Sequence, residues 1–192
     1  MGSDLEIYDR KSIRLKGFDY SLPGFYFITL IAKNRLCLFG EIEIGNIHLN
    51  EIWLLVKDCW HGLTKTFTYI KLDEFALMPN HMHGIVELVN TSGKGEAFSA
   101  RNVMLDDRNY ENASLLRPHG TQSGSLSSVI QNFKSVSTRM VNKRFFKAGN
   151  KIWQRNYFER IIRNDRELNA IRQYIIENPL NWEKDLENPT NI

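Results

Sequence analysis

The chain has 192 residues, 42% of them hydrophobic and 11% aromatic, with 25 basic and 22 acidic side chains and a net charge of +3. That length and apolar content fit one domain with a buried core and exclude wholesale disorder. No apolar run approaches the roughly 20 residues of a membrane-spanning helix, and no charged-then-apolar leader opens the chain. Met1-Gly2 opens like a myristoylation signal, but Glu6 occupies the position that needs Ser or Thr. Two cysteines, Cys37 and Cys59, are too few for a disulfide scaffold or a zinc ribbon. They read as buried thiols in a reducing, cytoplasmic setting.

In chain order, residues 1–22 form a polar arm carrying Arg10, Lys11, Arg14 and Lys16. Gly24–Ile31 is aromatic and β-branched and predicts a strand. Shorter strand-like pieces follow at Leu36–Phe39 and Glu41–Ile47. Asn50 can cap a helix that places Ile52, Leu55, Val56, Cys59 and Trp60 at helical spacing and ends at Gly62. Phe67–Met78 and His81–Val89 predict two strands joined by the turn Pro79-Asn80, hence a hairpin. Residues 90–124 are rich in Ser, Asn and Gly and lack sustained periodicity, which reads as a long loop or insertion. From Ser125, Leu126, Val129, Ile130, Phe133, Val136 and Met140 mark a long helix, and Ile152–Ile162 is extended. Asn164, with Glu167 three residues on, resembles a capping box. The helix it starts carries Leu168, Ile171 and Ile175 and stops at Pro179. A polar tail, 183–192, is expected to fray, so a single domain spans 23–182. The order β-α-β-β-α-β-α predicts an α+β fold whose first six elements form a ferredoxin-like antiparallel sheet with helices on one face. The final helix is an addition to that pattern.

The small net charge hides an uneven distribution. Residues 131–172 hold eleven basic and three acidic side chains, a local charge of +8, against −2 for the first 130 residues and −3 for the last 20. Lys134, Arg139, Lys143, Arg144, Lys151, Arg155, Arg160 and Arg163 from this stretch are candidate phosphate contacts; a solvated helix face is the competing reading. Rings interleave with cations from Trp153 to Arg160, as in a platform for unpaired bases, or else as a core strand with a basic edge.

Two clusters can carry chemistry. His81 and His83 are two apart, so on a strand both imidazoles face one side and Met82 the other. Two imidazoles on one face just after a turn can hold a metal ion, or be ordinary polar residues of a half-buried strand. Tyr174 and Asn178 are four apart and stack on one helix face. A tyrosine beside a metal can attack phosphorus, because the cation lowers the cost of ionising a phenol whose ordinary pKa is about 10. Asn178 offers an amide oxygen as a third ligand. The competing reading is an amphipathic helix whose tyrosine only packs. His48, His61 and His119 stand alone and read as surface or satisfied residues. No phosphate-binding glycine loop, zinc-protease motif or nucleophile elbow is present in the sequence.

Leu77-Met78-Pro79-Asn80-His81-Met82-His83-Gly84 resembles the HUH signature (His, hydrophobic, His) of single-tyrosine transposases. Trp153-Gln154, Tyr157-Phe158-Glu159, Ile162-Arg163-Asn164 and Tyr174-Ile175-Ile176-Glu177-Asn178-Pro179 resemble the C-terminal signature of the same group. Arg14-Leu15-Lys16-Gly17, Pro23 to Thr29 and Leu38 to Glu41 also fit. The nearest branch is that of the REP-associated tyrosine transposases, and the resemblance runs from about residue 10 to 182, most of 90–124 excepted. It implies an HUH fold that nicks and rejoins single-stranded or hairpin DNA with Mg²⁺ or Mn²⁺. His81 and His83 would be metal ligands. Tyr174 would be the nucleophile, forming a 5′-phosphotyrosine and freeing a 3′-hydroxyl. Insertion-sequence relatives carry Gln one turn after the tyrosine; here Asn178 stands there, one methylene shorter, as in the REP-associated branch. Tyr157 is the alternative nucleophile. The resemblance allows a monomer or a homodimer, in the cytoplasm and on the nucleoid when DNA is bound, and no membrane partner. The alternatives are a domesticated protein that binds hairpins without cutting and a metal-dependent phosphodiesterase that uses water.

Overall fold

The structure is a computed structural model and describes residues 18–43, 46–90 and 122–191. The aromatic and β-branched run Gly24–Ile31 forms strand β1. Its side chains alternate between two layers: Tyr26, Ile28 and Leu30 enter the main core, and Phe27 enters a second, smaller one. Among the described residues, strands β2 (Gly40–Glu43) and β3 (Asn46–Leu49) pair only with each other. Helix α1 (Glu51–His61) follows, its first turn capped by Asn50 Oδ1, which accepts from the backbone N–H of Ile52 and Trp53 at 3.0 and 3.1 Å. A four-residue helix α2 (Leu63–Thr66) leads into strands β4 (Ile70–Leu77) and β5 (His81–Leu88). Helix α3 (Leu126–Phe145), strand β6 (Phe158–Ile162) and helix α4 (Asp165–Glu177) complete the chain. The sheet order is β4-β5-β1-β6, every pair antiparallel. With α1 and α3, this is the ferredoxin-like arrangement expected of the order of elements.

Helices α1 and α3 cover one face. There Trp60, Phe133, Trp153 and Phe39 interlock with ring centroids 5.0–5.7 Å apart. Each fully buried ring of Phe size contributes about 1.5–3 kcal/mol, so this cluster fixes how the helices sit on the sheet. Helix α4 lies on the opposite face, where Leu168 and Ile175 pack with Phe27, Ile85 and Ile162. The sheet is thus buried on both sides along β5, whose residues from His81 to Val86 are all buried. That second layer carries the histidines.

Several sequence expectations change. Leu36–Phe39 is not a strand. Asn34 and Arg35 adopt φ of 55°, turning the chain out of an extended path, and Phe39 plugs the core instead of pairing in a sheet. The piece expected at Glu41–Ile47 is a hairpin of two short strands. In the extended stretch Ile152–Ile162 only Phe158–Ile162 joins the sheet, and Trp153 makes a single bridge to Ala32. Trp153 is 5% exposed and donates from Nε1 to Ser137 Oγ at 2.9 Å, so its ring is core and unavailable to stack on bases. Cys37 is exposed and Cys59 half-buried, not buried thiols. His48 and His61 are exposed. Pro179 does not end the chain's order: Asn178–Lys184 continues as 3-10 helix, and a further 3-10 turn forms at Pro189–Asn191. The tail expected to fray is held instead by Trp182, Glu187 and Asn188, all buried. Residues 1–17 of the basic arm, 91–121 of the long loop, and His119 lie outside the described residues.

Candidate catalytic and metal site

The two-residue period of β5 sends His81, His83 and Ile85 toward α4, while Met82 and Val86 enter the main core. His81 and His83 are 0% and 4% exposed. Their Nε2 atoms face each other at 3.1 Å. Each ring is aimed by a partner on its other nitrogen. His81 Nδ1 lies 2.8 Å from Asn80 Oδ1, and His83 Nδ1 lies 2.8 Å from Thr29 Oγ1, its direct cross-strand neighbour. Asn80 Nδ2 donates to the carbonyl of Glu187 at 2.6 Å, which orients the amide so that Oδ1 accepts from His81 Nδ1. That tautomer leaves the lone pair of His81 Nε2 pointing into the site. Thr29 can donate or accept, so it suits either tautomer of His83. Flat rings wall the pair in: Phe27 stacks on His83 at 5.4 Å and Trp182 on His81 at 6.0 Å.

Burial disfavours the charged imidazolium. It pushes His81 down to about 3, with the nearby Arg35 charge adding to the effect. His83 is also pushed down to about 3 by burial, then by His81, with Asp185 opposing. Both rings are therefore neutral at pH 7, the form that ligates metal.

Helix α4 delivers the tyrosine. Asn164 Oδ1 accepts from the Glu167 N–H at 2.9 Å, and Glu167 Oε2 accepts from the Arg163 N–H at 2.9 Å. With Leu168 and Ile175 buried below, Tyr174 projects along the sheet and its Oη lies 3.3 Å from His83 Nε2. Tyr174 is 47% exposed, so the residue can be reached from solvent. Desolvation raises its pKa, Asp185 and Glu187 raise it further, and Asn178 partly opposes them. Asn178, one turn on, is 4% exposed; its Nδ2 donates to Asp185 Oδ2 at 3.1 Å, and its buried Oδ1 has no hydrogen-bond partner among the described residues.

Sequence reasoning missed Asp185. Its Oδ2 is 3.7 Å from His81 Nε2, and one ligand atom from each of His81, His83 and Asp185 lies within 4.8 Å of the others. Asp185 Oδ1 accepts from the Glu187 N–H at 2.6 Å, and the Glu187 carboxylate pairs with Arg35. Asn80, Thr29 and Arg35 were missed as well. The available signals were faint: an Asn directly before the first histidine, and three acids, Glu183, Asp185 and Glu187, beyond Pro179. Two neutral imidazoles and one carboxylate form a donor set that fits a divalent cation, and the Asn178 amide presents its Nδ2 to that carboxylate.

Tyr157 lies on the other face of the sheet. It packs against the main core, with its hydroxyl 3.4 Å from Ser127 Oγ. The eight candidate cations separate into two groups. Lys134, Arg139, Lys143, Lys151 and Arg155, joined by Lys33, line a groove of about 920 Å³ between α3 and residues 148–155, and no acidic side chain among the described residues lines it. Lys134 also has a structural task, donating to the carbonyls of Gln154 and Arg155 at 2.6 and 2.8 Å; burial holds its ammonium down to about 8. Arg144 is paired with Glu51 and Arg160 with Glu167, and Arg163 is exposed at the mouth of α4.

Residues 119–178, which span α3, β6 and the tyrosine helix, match the family model described as "Transposase IS200 like". An uncharacterized protein of Haemophilus influenzae is 40% identical over 181 residues, covering 93% of each chain. The fold is similar to the solved structure of the REP-associated tyrosine transposase bound to a REP hairpin. The TM-score is 0.52 and the identity 18%, covering 85% of this chain and 71% of that one. No helix among the described residues is long and apolar enough to cross a membrane. Over residues 119–178 the chain is thus similar to the IS200-like transposase family.

Proposed function

We propose that the protein nicks and rejoins single-stranded DNA beside hairpins through Tyr174, with a divalent cation held by His81, His83 and Asp185 and supported by Asn178. The observation that carries this reading is a single convergence. Tyr174 Oη stands 3.3 Å from His83 Nε2, at the mouth of a buried His-His-Asp cluster whose Nε2 atoms are 3.1 Å apart. A bound Mg²⁺ or Mn²⁺ would supply positive charge to polarise the phosphate and favour the phenolate. Tyr174 Oη attacks phosphorus, the bond to the 3′-oxygen breaks, and the strand departs as a 3′-hydroxyl with the 5′-phosphate on the tyrosine. The exposed phenol gives its proton a path to water. Attack by a 3′-hydroxyl reverses the step. Asn80 and Thr29 hold the imidazoles in register throughout. In this reading the tyrosine and the histidines come from one chain.

The basic groove between α3 and residues 148–155 is where we place the hairpin's phosphates. A solved structure of similar fold is bound to a REP hairpin, and the acid-free lining favours a polyanion. The test is incubation with hairpin-bearing single-stranded DNA and Mg²⁺ or Mn²⁺. Wild type and Tyr157→Phe form a covalent adduct, and Tyr174→Phe forms none. An adduct in Tyr174→Phe refutes the assignment. The groove by itself also supports a hairpin-binding protein without cleavage; salt-dependent binding with no adduct under either metal selects that reading.

A further inference from the structure

The apolar stripe of α4 turns one face of the helix toward the sheet, and because such a stripe is about 100° wide, contacts on its flanks can set the roll more finely. Two polar side chains reach the sheet from the flanks of that stripe. On one flank Tyr174 meets His83. On the other, Arg172 forks onto Asp73 of β4, Nε to Oδ1 at 2.8 Å and Nη2 to Oδ2 at 2.5 Å. The fork is itself aimed, because Arg172 Nη1 also donates to Asn169 Oδ1 at 3.1 Å.

Asp73 is presented by an irregularity in the strand. The β4–β5 register shifts between Leu72, opposite Val86, and Phe75, opposite Gly84, so Asp73 and Glu74 together oppose Ile85. Ile85 faces α4. A bulge of this kind re-aims a side chain, and here it turns a carboxylate toward the tyrosine helix. The pair is also partly withdrawn from water, with side chains 19% and 36% exposed, and a bidentate guanidinium–carboxylate contact constrains angle as well as distance.

We propose that Asp73 and Arg172 are a positioning pair, a latch seated on the β4 bulge that sets the roll of α4 and thereby places Tyr174 over the histidines. The proposal rests on Tyr174 as the nucleophile; the latch itself is a statement about where that ring sits.

The test uses the full chain and two readouts. In the adduct assay, Arg172→Lys, which keeps the charge and loses the fork, and Asp73→Asn each lower the adduct rate constant about 10- to 100-fold, as expected for a misplaced nucleophile. Affinity for the hairpin DNA stays within about twofold of wild type. The reversed pair, Asp73→Arg with Arg172→Asp, recovers most of the rate. In the second readout, NMR contacts between the ring protons of Tyr174 and Phe27, whose centroids are 6.1 Å apart, are present in wild type and weakened in Arg172→Lys. A merely structural pair would lower the melting temperature and leave both the rate of the folded protein and the ring contacts intact, and that result overturns the latch. If wild type forms no adduct, the nucleophile assignment fails, while the ring contacts still decide the latch.

Discussion

Gly84 follows the second histidine, and the structure states what replacing it would do. A Cβ built on Gly84 lies 2.8 Å from Trp60 Cζ2, 3.0 Å from Trp60 Cη2 and 3.6 Å from Phe75 Cβ. Trp60 cannot yield, because it is 1% exposed and wedged edge-on against Phe133 at 5.4 Å. Overpacking of this sort costs about 1–3 kcal/mol. The loss of unfolded-chain entropy when Gly becomes Ala offsets about 0.4–1 kcal/mol of it, leaving about 1–2 kcal/mol of net destabilisation for Gly84→Ala. For a chain of this length that corresponds to a fall in Tm of about 2–8 °C. Thermal unfolding followed by circular dichroism measures it. Trp60→Phe removes both atoms the new methyl would meet. The double variant is therefore expected to lose less than the sum of the two single variants, a coupling that identifies the contact. A Gly84→Ala protein as stable as wild type, or strictly additive losses, would show that β5 and α1 are not packed as described and that the glycine serves another purpose.

Asp185→Asn should weaken Mn²⁺ binding, measured by calorimetry on full-length protein, by at least about tenfold; unchanged affinity would remove Asp185 from the metal site. In metal-free protein the buried imidazoles resist protonation to about pH 3 in the folded state, while in the unfolded chain they bind protons below about pH 6.5. The unfolded state therefore gains protons first, so the contribution to stability is full above about pH 6.5 and is lost as pH falls toward 3. Replacing both histidines with Gln should flatten the Tm profile between pH 7 and 4, and an unaltered slope refutes the account. Lys134→Met leaves the Gln154 and Arg155 carbonyls without their donor and should lower Tm. Arg139→Glu with Lys143→Glu should leave Tm within about 1 °C, as surface changes usually do, while weakening hairpin binding and reducing its salt dependence. Equal effects of the two changes on both measurements would erase the division between a structural lysine and groove cations.

The parts of the site legible in sequence are those written in local periodicity. Alternation put His81 and His83 on one face with Met82 on the other, and helical spacing put Tyr174 and Asn178 one turn apart. The caps at Asn50 and Asn164 were equally visible, since each acts within three residues of itself. The ring–cation run from Trp153 to Arg160 was ambiguous for the opposite reason. Whether a tryptophan is a platform or a core residue depends on what covers it, and here Phe39 and Phe133 do.

What the sequence by itself determined is the α+β order of elements, the histidine pair, the tyrosine helix and the place of the basic segment, because each depends on neighbours along the chain. Only the tertiary structure decided that Tyr174 and not Tyr157 stands beside the histidines, since that choice depends on which face of the sheet each side chain occupies. It also decided that the tail returns. Asp185 and the Glu187 carbonyl reach His81 and Asn80 across more than a hundred residues of sequence, and no period along the chain encodes a contact made by closing the fold.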